Sequence, residues 1–139
     1  MKARIIEGLD PTAPLLPNAV RIVRARLDEL SSLAAGALDP SATEAQHDLR
    51  IAAKRLRYLL DIVGTCFGAE GAAARSAAKN LQSVLGDIHD CDVMLPRVEG
   101  IESLTKLLRA RRELLFRRFH DLWQAEASRG TWIALERSM

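Results

Sequence analysis

His47, Arg50, Lys54 and Arg57 follow one another at spacings of three, four and three. In a helix of 3.6 residues per turn this spacing sets all four on one face, along about 15 Å of axis. Like charges so placed repel by about 0.2–0.5 kcal/mol per pair, and the only acid that answers them is Asp61 at the far end. A solvated face ordinarily alternates its signs, so a row of one sign suits the holding of an anion; the plain alternative is an exposed basic face with no ligand. Further along, Arg75, Lys79, Gln82 and His89 share a side of another helical stretch and form a second basic strip. Of the twenty Lys and Arg residues, all but Lys2, Lys54, Lys79 and Lys106 are arginine. The guanidinium fork suits phosphate or carboxylate, although GC-rich coding enriches Arg and Ala together without any such purpose.

Each histidine is followed by an aspartate: His47 by Asp48, His89 by Asp90, His120 by Asp121. Such pairs occur in metal-dependent phosphohydrolases of the HD class. Neighbours on a helix point about 100° apart, so a metal would need three of these groups to converge from different helices. No Ser-His-Asp triad or glycine-rich phosphate loop can be assembled. The chain is therefore expected to be a non-catalytic binder with no metal and no cofactor. Cys66 and Cys91 have no metal-ligand spacing and are expected to be small core residues.

The elements that must position these groups follow from the punctuation. Pro11, Pro14 and Pro17 precede a first helix from about Asn18 to Ala35, with Val20, Val23, Leu27, Leu30 and Ala34 at helical steps. A second begins near Ser41, with Glu44 placed for a capping box, and ends near Phe67. Its core sector is Leu49, Ala52, Ala53, Leu56, Leu59, Leu60 and Val63. A third spans about Ala72 to Leu95 around Ala77, Leu81, Val84, Leu85, Ile88 and Leu95. A fourth runs from near Ile101 to about Ala127, with Leu104, Leu107, Leu108, Leu115, Phe119 and Leu122 inward. No stretch alternates with period two, so no sheet is expected. The predicted fold is an all-α, up-down antiparallel four-helix bundle. It is one domain over residues 1–139, with an arm at 1–17 and a short tail at 128–139.

A 139-residue chain with 48% apolar and 27% charged residues is long enough for one core, burying about 70% of its unfolded surface. It has no apolar run of about 18 residues that would span a bilayer, and its start lacks a secretory signal's apolar core. A cytoplasmic location is expected. Asp92 falls on the apolar side of the third helix, where an unpaired carboxylate is costly. Arg111 and Arg118 project into or beside the fourth helix's apolar sector, and one of them is expected to pair with Asp92 as a structural ion pair. Lys106, Arg109 and Arg117 read as a solvated face balanced by Glu102 and Glu113. Gly86 inside the third helix suggests the close approach of another backbone or a ligand. Trp123 and Trp132 read as packing anchors.

The words HDLRIAAKRLRYLL, from His47 to Leu60, and LQSVLGDIHDCDVML, from Leu81 to Leu95, resemble the CHAD family, the conserved histidine α-helical domain. The segment LLRARRELLFRRF and the opening GLDPTAPLLPNAVRIVRARL also fit the family's layout, so the resemblance covers most of the chain. It implies an all-helical domain that binds inorganic polyphosphate and is associated with polyphosphate granules, sometimes joined to a triphosphate-processing domain, which is not expected here. It implies that His47, Arg50, Lys54 and Arg57 bind the polymer, with Lys79 a candidate from the third helix. The basic strip adds Arg75 and His89. Members usually contain two similar four-helix halves around a basic channel and this chain resembles one, so either two copies associate as a homodimer or one half offers an open groove. RNA or DNA is the second expected partner. It is the weaker one, because only Tyr58 stands beside the ladder as a stacking group.

Overall fold

A computed structural model describes residues 1–139. The chain forms four long helices, α1 (Leu15–Ala37), α2 (Thr43–Val63), α3 (Gly68–Met94) and α4 (Glu102–Arg129), then a short α5 (Thr131–Arg137), with no strand. Consecutive helices pack side by side, α1 on α2, α2 on α3 and α3 on α4, and the largest interface is α2 with α3. Connections of four to seven residues hold each pair antiparallel.

Helical periodicity explains the core. Ala19, Val23, Leu27, Leu30, Ala34 and Ala37 recur along one side of α1 and are buried. They meet Leu49, Ala52, Ala53, Leu56, Leu60 and Val63 of α2. The facing side of α3 is made of small residues at its start, with Ala74, Ala77 and Ala78, and larger ones later, with Leu81, Leu85 and Ile88. Small side chains let α3 lie close to α2. Gly71 at the start of α3 sits against the turn that follows α2, where any Cβ would collide with the Gly64 carbonyl. α4 ends at Gly130, whose φ of 71° is the left-handed cap that permits the turn into α5. Trp132 and Leu135 of α5 are buried, and Trp132 stacks on Trp123 with ring centroids 5.9 Å apart.

Several expectations are corrected. α1 begins at Leu15, with Pro17 inside its first turn, where a missing N–H costs no helical bond. The Ser41–Glu44 capping box does not form. Instead Asp39 Oδ1 accepts from both the Ser41 backbone N–H, at 3.0 Å, and its hydroxyl, at 2.8 Å. These bonds also hold the Asp39 carboxyl below its ordinary pKa. α2 stops at Val63, and Gly64–Phe67 is a separate turn of 3-10 helix. Cys91 is buried as expected, with its thiol pKa pushed up by burial, whereas Cys66 is exposed on that 3-10 turn. Gly86 is not forced by crowding, since an added Cβ would meet nothing closer than the Arg50 Cδ at 3.9 Å.

The largest correction concerns α4. Leu104 and Leu107 are exposed, and the inward positions belong to Leu115, Phe116 and Phe119, with Leu108, Leu122 and Trp123 partly covered. The helix is rotated so that Arg112, rather than Arg111 or Arg118, meets Asp92. The Arg112 Nε donates to Asp92 Oδ1 at 2.5 Å. Its other nitrogens donate to Gln46 Oε1 at 2.7 Å and the Pro40 carbonyl at 2.9 Å. Residue 112 shares a face with 108, 115, 116 and 119, so seating its guanidinium and burying the Phe116–Phe119 pair favour the same rotation. Arg111 and Arg118 are exposed.

The arm before α1 is extended but attached. Buried Glu29 accepts the Arg4 backbone N–H at 3.0 Å and an Arg26 N–H at 3.1 Å. Arg55 of α2 stands 3.8 Å from the same carboxylate and donates to the Met1 carbonyl. Glu29 thus ties the arm to both α1 and α2.

Candidate anion-binding groove

The side of α2 that faces neither α1 nor the core lies along α3, and the two strips read from the sequence meet there rung by rung. His47 stacks on His89 with ring centroids 4.4 Å apart and planes 24° apart. The Arg50 side chain crosses in front of Gly86, which offers it no side chain to avoid. One Arg57 Nη donates to Gln82 Oε1 at 2.9 Å. Arg75 is ion-paired with Asp61. Antiparallel packing of α2 and α3 produces this order, because steps of three and four run in opposite directions along the two helices.

Between the rungs lies a groove of about 410 Å³ without a single hydrophobic residue in its wall. Arg50 and Arg57 form one side; Lys79, Gln82, Ser83, Gly86, Asp87 and Asp90 form the other. Three buried polar atoms on this face have no hydrogen-bond partner: His47 Nδ1, Arg50 Nε and Arg57 Nε. A buried polar atom left unpaired costs about 1–3 kcal/mol, a cost that the fold bears along this face. The two acids on the α3 rim lie toward the histidine end. The Arg57 and Lys79 end is free of them until Asp61.

The remaining predicted groups are placed as follows. Lys54 is outside the groove, on the outer surface, with its Nζ 5.8 Å from the Tyr58 ring, and Arg57 flanks the same ring at 5.4 Å. Tyr58 is therefore occupied by two cations and does not face the groove. Arg75 continues the α3 strip but is engaged by Asp61, one turn beyond Lys79. His47 and His89 do not line the groove; they stack on each other past its Arg50 and Asp90 end. The His47 pKa lies below the ordinary histidine value because burial disfavours the cation, and neighbouring His89 and Arg50 add to this against the opposing pull of Asp48. His47 is thus a neutral ring at neutral pH in the free protein.

Only two of the three His-Asp pairs come near each other. His120 lies on α4, 6.5 Å from the Phe116 ring and 3.8 Å from Asp121. No three His, Cys, Asp or Glu side chains form a group able to hold a metal ion. Sequence reasoning missed Ser83, Asp87 and Asp90 as rim residues, although Asp87 and Asp90 lie one residue from Gly86 and His89 and share their side of α3. It also missed Arg112 and Glu29, whose roles depend on long-range partners.

Fold and site together define an all-helical domain whose α2 and α3 enclose a polar groove walled by Arg50, Arg57 and Lys79 beside the acids Asp87 and Asp90. The CHAD domain family matches residues 2–99 of the 139, from the arm through α3 and the turn after it, and the chain belongs to that family. CHAD domains are linked to polyphosphate-related proteins. No curated protein and no solved structure matches the chain. The matched span contains every groove residue, whereas α4 and α5 lie outside it. No helix is long and apolar enough to cross a membrane.

Proposed function

We propose that this protein binds inorganic polyphosphate in the α2–α3 groove without transforming it, and through that binding associates with polyphosphate granules. The observation that carries the reading is the convergence of Arg50, Arg57 and Lys79 on one polar groove in which Arg50 Nε and Arg57 Nε lack acceptors. A phosphate chain offers an acceptor-only oxygen at every unit, which matches a row of donors better than a single carboxylate would. Each charge-assisted contact contributes about 1.5–3 kcal/mol where water is excluded and less at an open rim, so a few contacts give useful affinity.

RNA meets the same cations, but no aromatic ring lines the groove, and Tyr58 is flanked by Lys54 and Arg57 on the outer surface. Bases would find no stacking platform there. Exposed Leu104, Leu107 and Leu114 leave one side of α4 uncovered. A second copy seated on them would put two grooves into one particle, and the stoichiometry of the complex reads out that arrangement.

The test is fluorescence anisotropy of labelled polyphosphate with the wild type and Arg50→Ala/Arg57→Ala, competed with unlabelled polyphosphate or single-stranded RNA. Saturable binding lost in the double variant supports the groove. Binding unaffected by the double variant, or displaced more readily by RNA, overturns the reading.

A further inference from the structure

Asp61 stands where the cation row ends. On α2 it continues the steps of three and four that carry His47, Arg50, Lys54 and Arg57, and on α3 Arg75 continues the strip of Lys79, Gln82 and His89. The two residues form an ion pair one turn beyond the Arg57 and Lys79 rung, about 6 Å further along the helices. Beyond the rung, Asp61 and Arg75 both line a separate cleft of about 350 Å³ whose other walls include Gly64, Gly68 and Gly71. The pair therefore occupies the junction between the groove and an open space that follows it. Without Asp61, Arg75 would be the next rung.

We infer that Asp61 is an end stop: by engaging Arg75 and presenting a carboxylate, it limits the length of polyanion that the groove grips. This inference rests on the anion-binding reading of the groove and adds to it a residue that sets chain-length preference. The physical basis is local. The side chains of Arg75 and Asp61 are 48% and 31% exposed, so the pair is not locked in by burial and contributes little to folding. A carboxylate at this point repels an advancing phosphate, and its charge offsets that of the Arg75 guanidinium, whose Nε–H it accepts.

The experiment compares two probes, tripolyphosphate and long-chain polyphosphate, against the wild type, Asp61→Asn, Arg75→Ala and the double variant, with thermal melting to verify folding and Asp61→Ser as a second replacement. The expected result is tighter long-chain binding by Asp61→Asn, by about fivefold, as for one exposed charge contact. Tripolyphosphate affinity should be unchanged. Arg75→Ala alone should match the wild type, and adding it to Asp61→Asn should remove the gain. The dependence of log affinity on log salt should steepen by about 0.7 for the long chain only. A gain equal for both probes, or one that survives Arg75→Ala, identifies a general charge effect and overturns the end stop. Unchanged long-chain binding in both Asp61 variants also overturns it. Failure of the wild type to bind either probe removes the groove reading itself, a different outcome from a binding wild type with indifferent variants.

Discussion

Arg112→Ala should destabilise the fold by about 3 kcal/mol. The guanidinium makes four hydrogen bonds, two to Asp92 and one each to Gln46 Oε1 and the Pro40 carbonyl. Removing one member of a buried ion pair costs about 3–5 kcal/mol. Here the Arg112 and Asp92 side chains retain 13% and 19% exposure, so water partly resolvates the orphaned carboxylate and the cost falls to about 2 kcal/mol. Gln46 is only 2% exposed, and an unpaired acceptor there adds about 1 kcal/mol. An unfolding entropy near 2 cal/mol/K per residue converts the total into a fall in Tm of about 10 °C for a chain of this size. Urea unfolding followed by far-UV circular dichroism measures it, with Arg118→Ala as the reference: Arg118 is exposed and should shift stability by no more than about 0.5 kcal/mol. Equal losses in the two variants would refute the assignment of Arg112 as the residue that seats α4. So would a loss below about 1 kcal/mol in Arg112→Ala.

Two predictions concern binding. With Arg50, Arg57 and Lys79 as the groove's cations, log affinity for polyphosphate should fall with log salt at a slope of about −2, a loss of about fifteenfold between 50 and 200 mM; a flat salt titration would exclude this site. Acidification should tighten binding. A bound polyanion favours the charged ring of His47, whose pKa is depressed in the free protein, so binding takes up a proton and affinity rises as pH falls below about 6.5. The sign is opposite for the free fold: the unfolded chain protonates first, so stability present above about pH 6.5 is lost as pH falls through the depressed folded value. His47→Ala should remove the acid-side gain in titrations at pH 6 and pH 8, and an unchanged pH profile in that variant would exclude His47.

The helix count, the absence of sheet and the face of α2 that carries His47, Arg50 and Arg57 were all legible in the sequence. Each depends on spacing within one segment, and 3.6-residue periodicity fixes which side chains share a side before anything else packs. The strip on α3 was legible for the same reason. What spacing cannot express is the pairing of one face with another. That Arg57 meets Gln82, that Arg75 is taken up by Asp61, and that Lys54 turns outward to Tyr58 are consequences of how α2 and α3 lie together. α4 shows the limit most clearly. Its leucines at 104 and 107 and its inward group at 115, 116 and 119 offer two overlapping stripes, either able to serve as the buried one. The choice was made by the seat for Arg112 between Asp92 and Gln46 and by the room for Phe116, both supplied by residues distant in sequence. Local order along each helix was thus set by the chain alone, while tertiary packing decided which charges remain free to bind, because an ion pair consumes a cation only when folding brings its acid alongside.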